Sequence, residues 1–249
     1  MNKKILVLLI PLLFTHLFMY AQFKKGMRMA GATIGSLFFN SGTSEVSYPS
    51  PATGYTSRIT SYGVNLTPSL GWFITDNTAV GISLLINPSS NKATYESGGT
   101  TYQEDKVNTF NIGLGGFLRS YLGTSSFMPF VQGSLNIGIS SQNSSGFFYG
   151  GSGPGVYKLT YDGKSSGGVF TNGTLALGLT KLLNPHTGLD IYAGYTYSYS
   201  QNDMKTTTNR DDGIDGSIDL VSVSEPSTKF TNHGFMIGIG FQVFLEPRK

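Results

Sequence analysis

The sequence predicts an all-β fold, an eight-stranded antiparallel up-and-down transmembrane β-barrel with short turns on one rim and long loops on the other, and three observations carry the prediction. Charged residues are 12% of the 249, against about 25% in ordinary soluble domains, and the chain holds 33 Gly with 14 Tyr and 17 Phe, a β composition poor in surface charge. Large apolar residues alternate with small or polar ones at period two, where a helix would cluster them three and four apart. The connections alternate in length: "TDNT", "GTSS" and "NPHTG" are short, while 40–58, 88–106, 141–168 and 201–229 are long and polar.

Eight strands follow, over 27–39, 59–74, 79–87, 107–122, 128–140, 169–182, 189–200 and 230–245. In the first, "MRMAGATIGSLFF" favours neither face. The second sets Tyr62, Val64, Leu66, Leu70 and Trp72 against Asn65, Thr67 and Ser69. Pro68 removes a ladder donor there, which predicts a bulge or an unpaired donor position. The third sets Val80, Ile82, Leu84 and Ile86 against Ala79, Gly81 and Ser83, and the fourth sets Phe110, Ile112, Leu114 and Leu118 against Asn111, Gly113, Gly115 and Arg119. The fifth opposes Val131, Leu135, Ile137 and Ile139 to Gln132, Ser134, Asn136 and Gly138; the sixth opposes Leu175, Leu177 and Leu179 to Asn172, Thr174 and Gly178. The seventh and eighth, "LDIYAGYTYS" and "GFMIGIGFQVFL", continue the pattern.

A soluble barrel turns its apolar face inward and covers the outside with Lys, Glu and Asp, and these strands carry almost none of those three. Their polar face is amide, hydroxyl and glycine. Such a face suits an interior whose groups hydrogen-bond one another, and the apolar face suits lipid, with closure leaving no unpaired edge. Aromatics at strand ends fit the two interfaces: Trp72 on the short-turn rim, and Tyr62, Phe110, Tyr197 and Tyr199 on the long-loop rim.

Residues 1–21 read as a secretory signal: Lys3 and Lys4 give a basic start, "ILVLLIPLLF" an apolar stretch, and Ala21 and Gln22 flank the expected cleavage point. Pro11, Thr15 and His16 interrupt a run already short of the ~20 residues a spanning helix needs. One barrel domain is expected over 22–249. Loss of two lysines takes the formal charge from +3 to +1, which leaves no nucleic-acid footprint, and the absence of Cys excludes disulfide stapling.

The stretches "LTPSLGWFITDNTAVGISL", "NIGLGGFLRSYL", "TLALGLTKLLNPHTGLDIYAGYTYS" and "GFMIGIGFQVFL" resemble the small outer-membrane β-barrel family of Gram-negative bacteria, the group that includes OmpX and the OmpA transmembrane domain. The resemblance covers most of the chain after residue 21 and implies an architecture rather than an activity. The last strand looks like the family's assembly signal at Gly240, Val243 and Leu245, which implies insertion by the barrel-assembly machinery into outer-membrane lipid and lipopolysaccharide. "EPRK" follows Leu245, where family members often stop at an aromatic.

Chemistry-bearing residues are few, and no cofactor is implied. Eight strands enclose an interior just wide enough to be filled by side chains, which disfavours a pore. Arg119 and Asp190 share the inward phase near the short-turn end and are expected to pair as a structural ion pair, since an unpaired interior charge is costly. Small barrels that modify lipid A need a Ser or His with an acid partner at the outer rim. His186 lies in the short turn, on the wrong side, and His233 in "TNHGF" has no neighbouring acid in sequence. Asp211, Asp215, Gly216 and Asp219 fall at the loop spacing of an EF-hand, yet Gly213 stands at the third position and Ser222 at the closing one, so a solvated acidic loop is expected. "GGSGPG" and "GKSS" look phosphate-binding in isolation, but Lys158 stands where the Walker spacing needs Gly. The expectation is a monomeric, non-enzymatic barrel acting through adaptable outer loops of Ser, Gly, Asn, Thr and Tyr, with a lipid A enzyme or a narrow pore as alternatives.

Overall fold

The computed structural model describes residues 23–46, 54–123, 125–151 and 155–246; the expected leader and its cleavage point at Ala21 and Gln22 lie outside the described residues. Nine strands run in chain order: β1 (Arg28–Val46), β2 (Tyr55–Phe73), β3 (Thr78–Ser97), β4 (Thr100–Tyr121), β5 (Phe127–Gly150), β6 (Tyr157–Asn184), β7 (Thr187–Asp212), β8 (Leu220–Ser224) and β9 (Ser227–Leu245). Consecutive strands from β1 to β7 pair antiparallel, β7 pairs with β9 and β9 returns to β1. Eight strands therefore form a ring, and β8 is a short ninth strand added to the outer end of β7.

The expected long loops are largely strand. Apart from β8, each strand is 19 to 28 residues long, about twice the 9–11 residues that cross a bilayer at a tilt. The wall therefore continues well past the apolar band. β3 and β4 turn through Gly98 and Gly99 alone, at φ +58° and +78°, the left-handed pair that a two-residue hairpin requires and that glycine supplies without a steric penalty. Ion pairs lie on the outward face of these extensions, Arg58 to Glu96 at 3.2 Å and Lys92 to Glu104 at 2.8 Å, so the outer face there belongs in water rather than in lipid. Polar residues on both faces leave no alternation to read, which is why the segments look like loops in sequence.

Lower on the wall the phase is clean. Leu70, Ile82, Leu114, Leu118, Leu135, Ile137, Ile139, Leu175, Leu177, Ile191 and Ile239 point outward and are all more than half exposed. In water that belt would forgo about 25 cal/mol for every Å² of apolar surface left unburied, so it is a surface for hydrocarbon. The first strand's ambiguity has a local cause. Ile34 pairs with Leu66 but Ser36 pairs with Asn65, leaving Gly35 as an extra residue. Before this bulge Met29 and Thr33 point in; after it the phase flips, and Leu37 and Phe39 point out. The bulge lies on β1 rather than at Pro68. Pro68 pairs with Ala32, while the β2 to β3 ladder keeps its register yet lacks bridging pairs at Val64 and Asn65, opposite Pro88, and at Thr67 and Pro68, the two places where a proline has no donor to give.

The short-turn end is packed solid. Phe23 inserts its ring between Phe73 at 4.7 Å, Tyr121 at 4.9 Å and Phe244 at 4.4 Å, and Met29, Met128 and Phe130 complete the cluster, all at most 2% exposed. Gly81 makes room above it. A Cβ there would sit 2.2 Å from the Leu70 carbonyl oxygen and 2.4 Å from the Phe117 ring, so no larger residue fits.

Candidate functional site

The barrel interior is the candidate site, and it has two storeys. In the lower one, β4 and β7 carry Arg119 and Asp190 inward at the same height, and Arg119 Nη1 donates to Asp190 Oδ2 at 2.6 Å with both side chains nearly inaccessible. The remaining valences are filled by neighbours. Arg119 donates through Nε to Gln132 Oε1 at 2.6 Å and through Nη1 to Tyr121 Oη at 3.0 Å, and its guanidinium lies 4.1 Å above the Phe130 ring. Asp190 accepts from Thr180 Oγ1 at 2.6 Å and from Gln242 Nε2 at 3.1 Å. A pair so supplied recovers much of its desolvation cost and holds five strands, β4, β5, β6, β7 and β9, at one level. Only about 20 Å³ of free space remains around Arg119, room for a single water.

The upper storey is hollow, which corrects the expectation of an interior filled throughout. A cavity of about 620 Å³ lies above Arg119. Asn65, Asn87, Asn111, Asn136, Asn172 and Asn202 line it among many hydroxyls, because all eight strands of the ring contribute amide or hydroxyl side chains too short to meet across the lumen. A few bonds close within the wall: Ser83 Oγ donates to Asn136 Oδ1 at 2.9 Å and Asn172 Nδ2 to Thr196 Oγ1 at 3.0 Å. Asn111 Oδ1, Ser140 Oγ and Asn202 Oδ1 are buried with no protein partner. The described lining has no Asp, Glu, Lys or Arg.

Elsewhere the sequence's candidates are spread apart. His233 sits on the outward phase of β9 beside the Tyr195 ring at 6.1 Å and does not line the cavity. His186 lies in the β6 to β7 turn, its Nδ1 3.3 Å from the Phe244 carbonyl oxygen. In the acidic turn, Asp211 accepts from the backbone N–H groups of Asp215 and Gly216 at 3.1 and 3.0 Å, and Asp219 from that of Asp212 at 2.6 Å. Asp215 accepts from Ser217, which holds its carboxyl below the usual carboxylate range. These oxygens serve the turn's own amides instead of converging on a common point.

Trp72, Tyr62 and Tyr197 are 44%, 54% and 49% exposed on the outer wall, while Tyr199 is half-buried and donates to Gln201 Oε1 at 3.3 Å. On β9, Gly240 faces inward between Thr33 and Asp190, and Leu245 is exposed at the lower rim. On the outer extensions, Tyr161 Oη donates to Asp105 Oδ1 at 2.5 Å, and burial followed by that bond raises the phenol above its ordinary range. The cavity was missed in sequence because its signal, amides recurring on the inward phase of successive strands, reads equally as a filled network.

Among solved structures the chain is similar to the outer membrane protein OprG from Pseudomonas aeruginosa, at 17% identity and a TM-score of 0.34, covering 90% of this chain and 99% of that one. It is similar to the N-terminal β-barrel domain of Pseudomonas aeruginosa OprF, at 11% identity and a TM-score of 0.27, over 89% and 98% of the two chains. For Neisserial surface protein A the values are 14%, 0.31, 88% and 97%. No protein-family model matches the sequence, and no curated protein matches it at a significant level.

Proposed function

We propose that this is a non-enzymatic outer-membrane barrel, exported on its leader and inserted as a monomer among lipid and lipopolysaccharide by the barrel-assembly machinery, with a structural or surface-contact role carried by its tall outer wall. The observation that carries the reading is the belt of outward Leu and Ile side chains around an interior shut at its short-turn end. A belt of that height needs a bilayer, and a shut interior gives solutes no through path. The outer wall supplies contact surface: β8 presents Leu220, Val221 and Val223 to solvent above the membrane, each 56% exposed.

A lipid A enzyme needs a base and an acid at the outer rim, and His233 has neither an acid partner nor a place in the cavity. The test has three readouts. The protein should fractionate with outer membrane and change apparent size on a gel when boiled, planar bilayers should show no discrete conductance, and lipid A acyl chains should be identical with and without the gene. A soluble, heat-indifferent protein would sink the reading outright.

A further inference from the structure

The ring closes over only part of its height. β1 and β9 pair from Arg28 with Leu245 to Ile34 with Ile239 and no further, although β1 continues to Val46 and β9 begins at Ser227. Each keeps its other partner along that length, β2 for β1 and β7 for β9. Two free strand edges therefore face each other above the Gly35 bulge. Their lower part stands at the height of the apolar belt, since Leu37 is level with Val64, two residues above Leu66, and Ile237 is level with Ala193, two residues above Ile191. Open edges are not stable facing hydrocarbon, where each unmet N–H and carbonyl costs several kcal/mol, so this seam needs an occupant.

Three further observations describe that occupant. The four most exposed large apolar side chains among the described residues are Phe235 at 90%, Leu37 at 80%, Ile237 at 73% and Phe39 at 72%, and all four flank the seam. Gly35 and Ser36 on one side and Asn232 and Met236 on the other line the cavity, so the seam opens into it. The cavity itself is uncharged, rich in amides and hydroxyls, and holds buried groups without partners at Asn111, Ser140 and Asn202. It has the volume of about twenty waters.

We infer that the cavity binds the uncharged, hydroxyl-rich headgroup of an amphiphile, whose hydroxyls meet the open backbone edges of β1 and β9 and whose hydrocarbon chain passes out between Leu37, Phe39, Phe235 and Ile237 into the surrounding lipid. This rests on the membrane placement proposed above. The amides match a hydroxylated group donor for acceptor, an anionic or cationic headgroup would find no counter-charge, and the aliphatic and aromatic flanks of the seam grip the chain.

The test uses the full barrel in phosphatidylcholine nanodiscs, with n-dodecyl β-maltoside as the amphiphile, maltose as the free sugar, and the side-chain amide NMR signals of Asn111 and Asn202 as readout. The maltoside should shift both signals at concentrations about tenfold or more below maltose, because the lipid phase concentrates it at the seam. Continuing the register past the one-residue bulge sets Leu37 opposite Ile237, and the natural chain has no Cys. A Leu37→Cys/Ile237→Cys disulfide should therefore abolish the maltoside response and restore it on reduction. Ser36→Trp, which blocks the seam mouth without a crosslink, should do the same. Equal responses to maltose and maltoside, or a maltoside response that survives both blocks, would overturn the inference. So would no response in a barrel that still shows its heat-dependent gel shift, and that result leaves the outer-membrane reading standing.

Discussion

The lower and upper halves of the barrel are built from the same eight strands and solve opposite problems. Below, bulky side chains meet across the lumen, a supplied ion pair ties β4 to β7, and β1 zips to β9. Above, short amide and hydroxyl side chains leave about 620 Å³ empty, and β1 and β9 part company. The switch occurs at Gly35, where one inserted residue flips the phase of β1 at the level where its pairing with β9 ends. Stability and openness are thus divided by height rather than by strand.

If the lower half carries the stability, breaking it should cost the most. Asp190→Ala leaves the Arg119 guanidinium buried against Phe130 with no carboxylate, and about 3–5 kcal/mol should be lost. The urea midpoint of the heat-shifted gel band would fall accordingly. Replacing both partners, as Arg119→Leu/Asp190→Leu, should recover most of the loss, because no charge is then stranded. Next in size is Phe244→Ala, which removes a buried ring packed 4.4 Å from that of Phe23; a loss of about 3 kcal/mol is expected by the same measurement. A loss under 1 kcal/mol for either change would place the stabilising packing elsewhere.

The upper half should tolerate far more. Asn111 donates to Asn87 only at 3.5 Å and its oxygen has no partner, so Asn111→Leu should change the urea midpoint by less than about 1 kcal/mol, in either direction. The contrast with Asp190→Ala is the comparison in its sharpest form: two inward polar residues, one bonded on every side and one not.

The same division governs how far the sequence could be read. Alternation is legible wherever one face meets lipid, so β2 to β6 declare their phase, and Arg119 and Asp190, 71 residues apart, fall on the same inward phase near the same rim. β1 is illegible because a one-residue bulge splits its pattern into two half-patterns of opposite phase. The outer extensions hide for a different reason: with water on both faces, as at Thr206, Thr207 and Thr208, no period distinguishes strand from loop. The cavity escapes because whether opposed Asn and Ser side chains meet depends on barrel width and bulge position, neither of which is local in sequence.

The smallest expected effect tests whether the extensions are ordered walls at all. Tyr161 on β6 donates to Asp105 on β4, spanning the intervening β5 above the membrane, and burial followed by that bond raises its pKa. A phenol whose folded pKa lies above the unfolded value of about 10 keeps its full stabilising contribution below that pH and loses it as pH climbs through the folded value. Amide hydrogen exchange in β4 to β6 above the belt should therefore quicken beyond its intrinsic pH trend above about pH 10, and Tyr161→Phe should remove that excess while costing less than about 1 kcal/mol at neutral pH. Exchange in the lower strands should not respond to the substitution at any pH. Unprotected amides at residues 103–106 and 158–163 in the wild-type protein would mean that the tall wall frays, and surface contact would then rest on flexible chain after all.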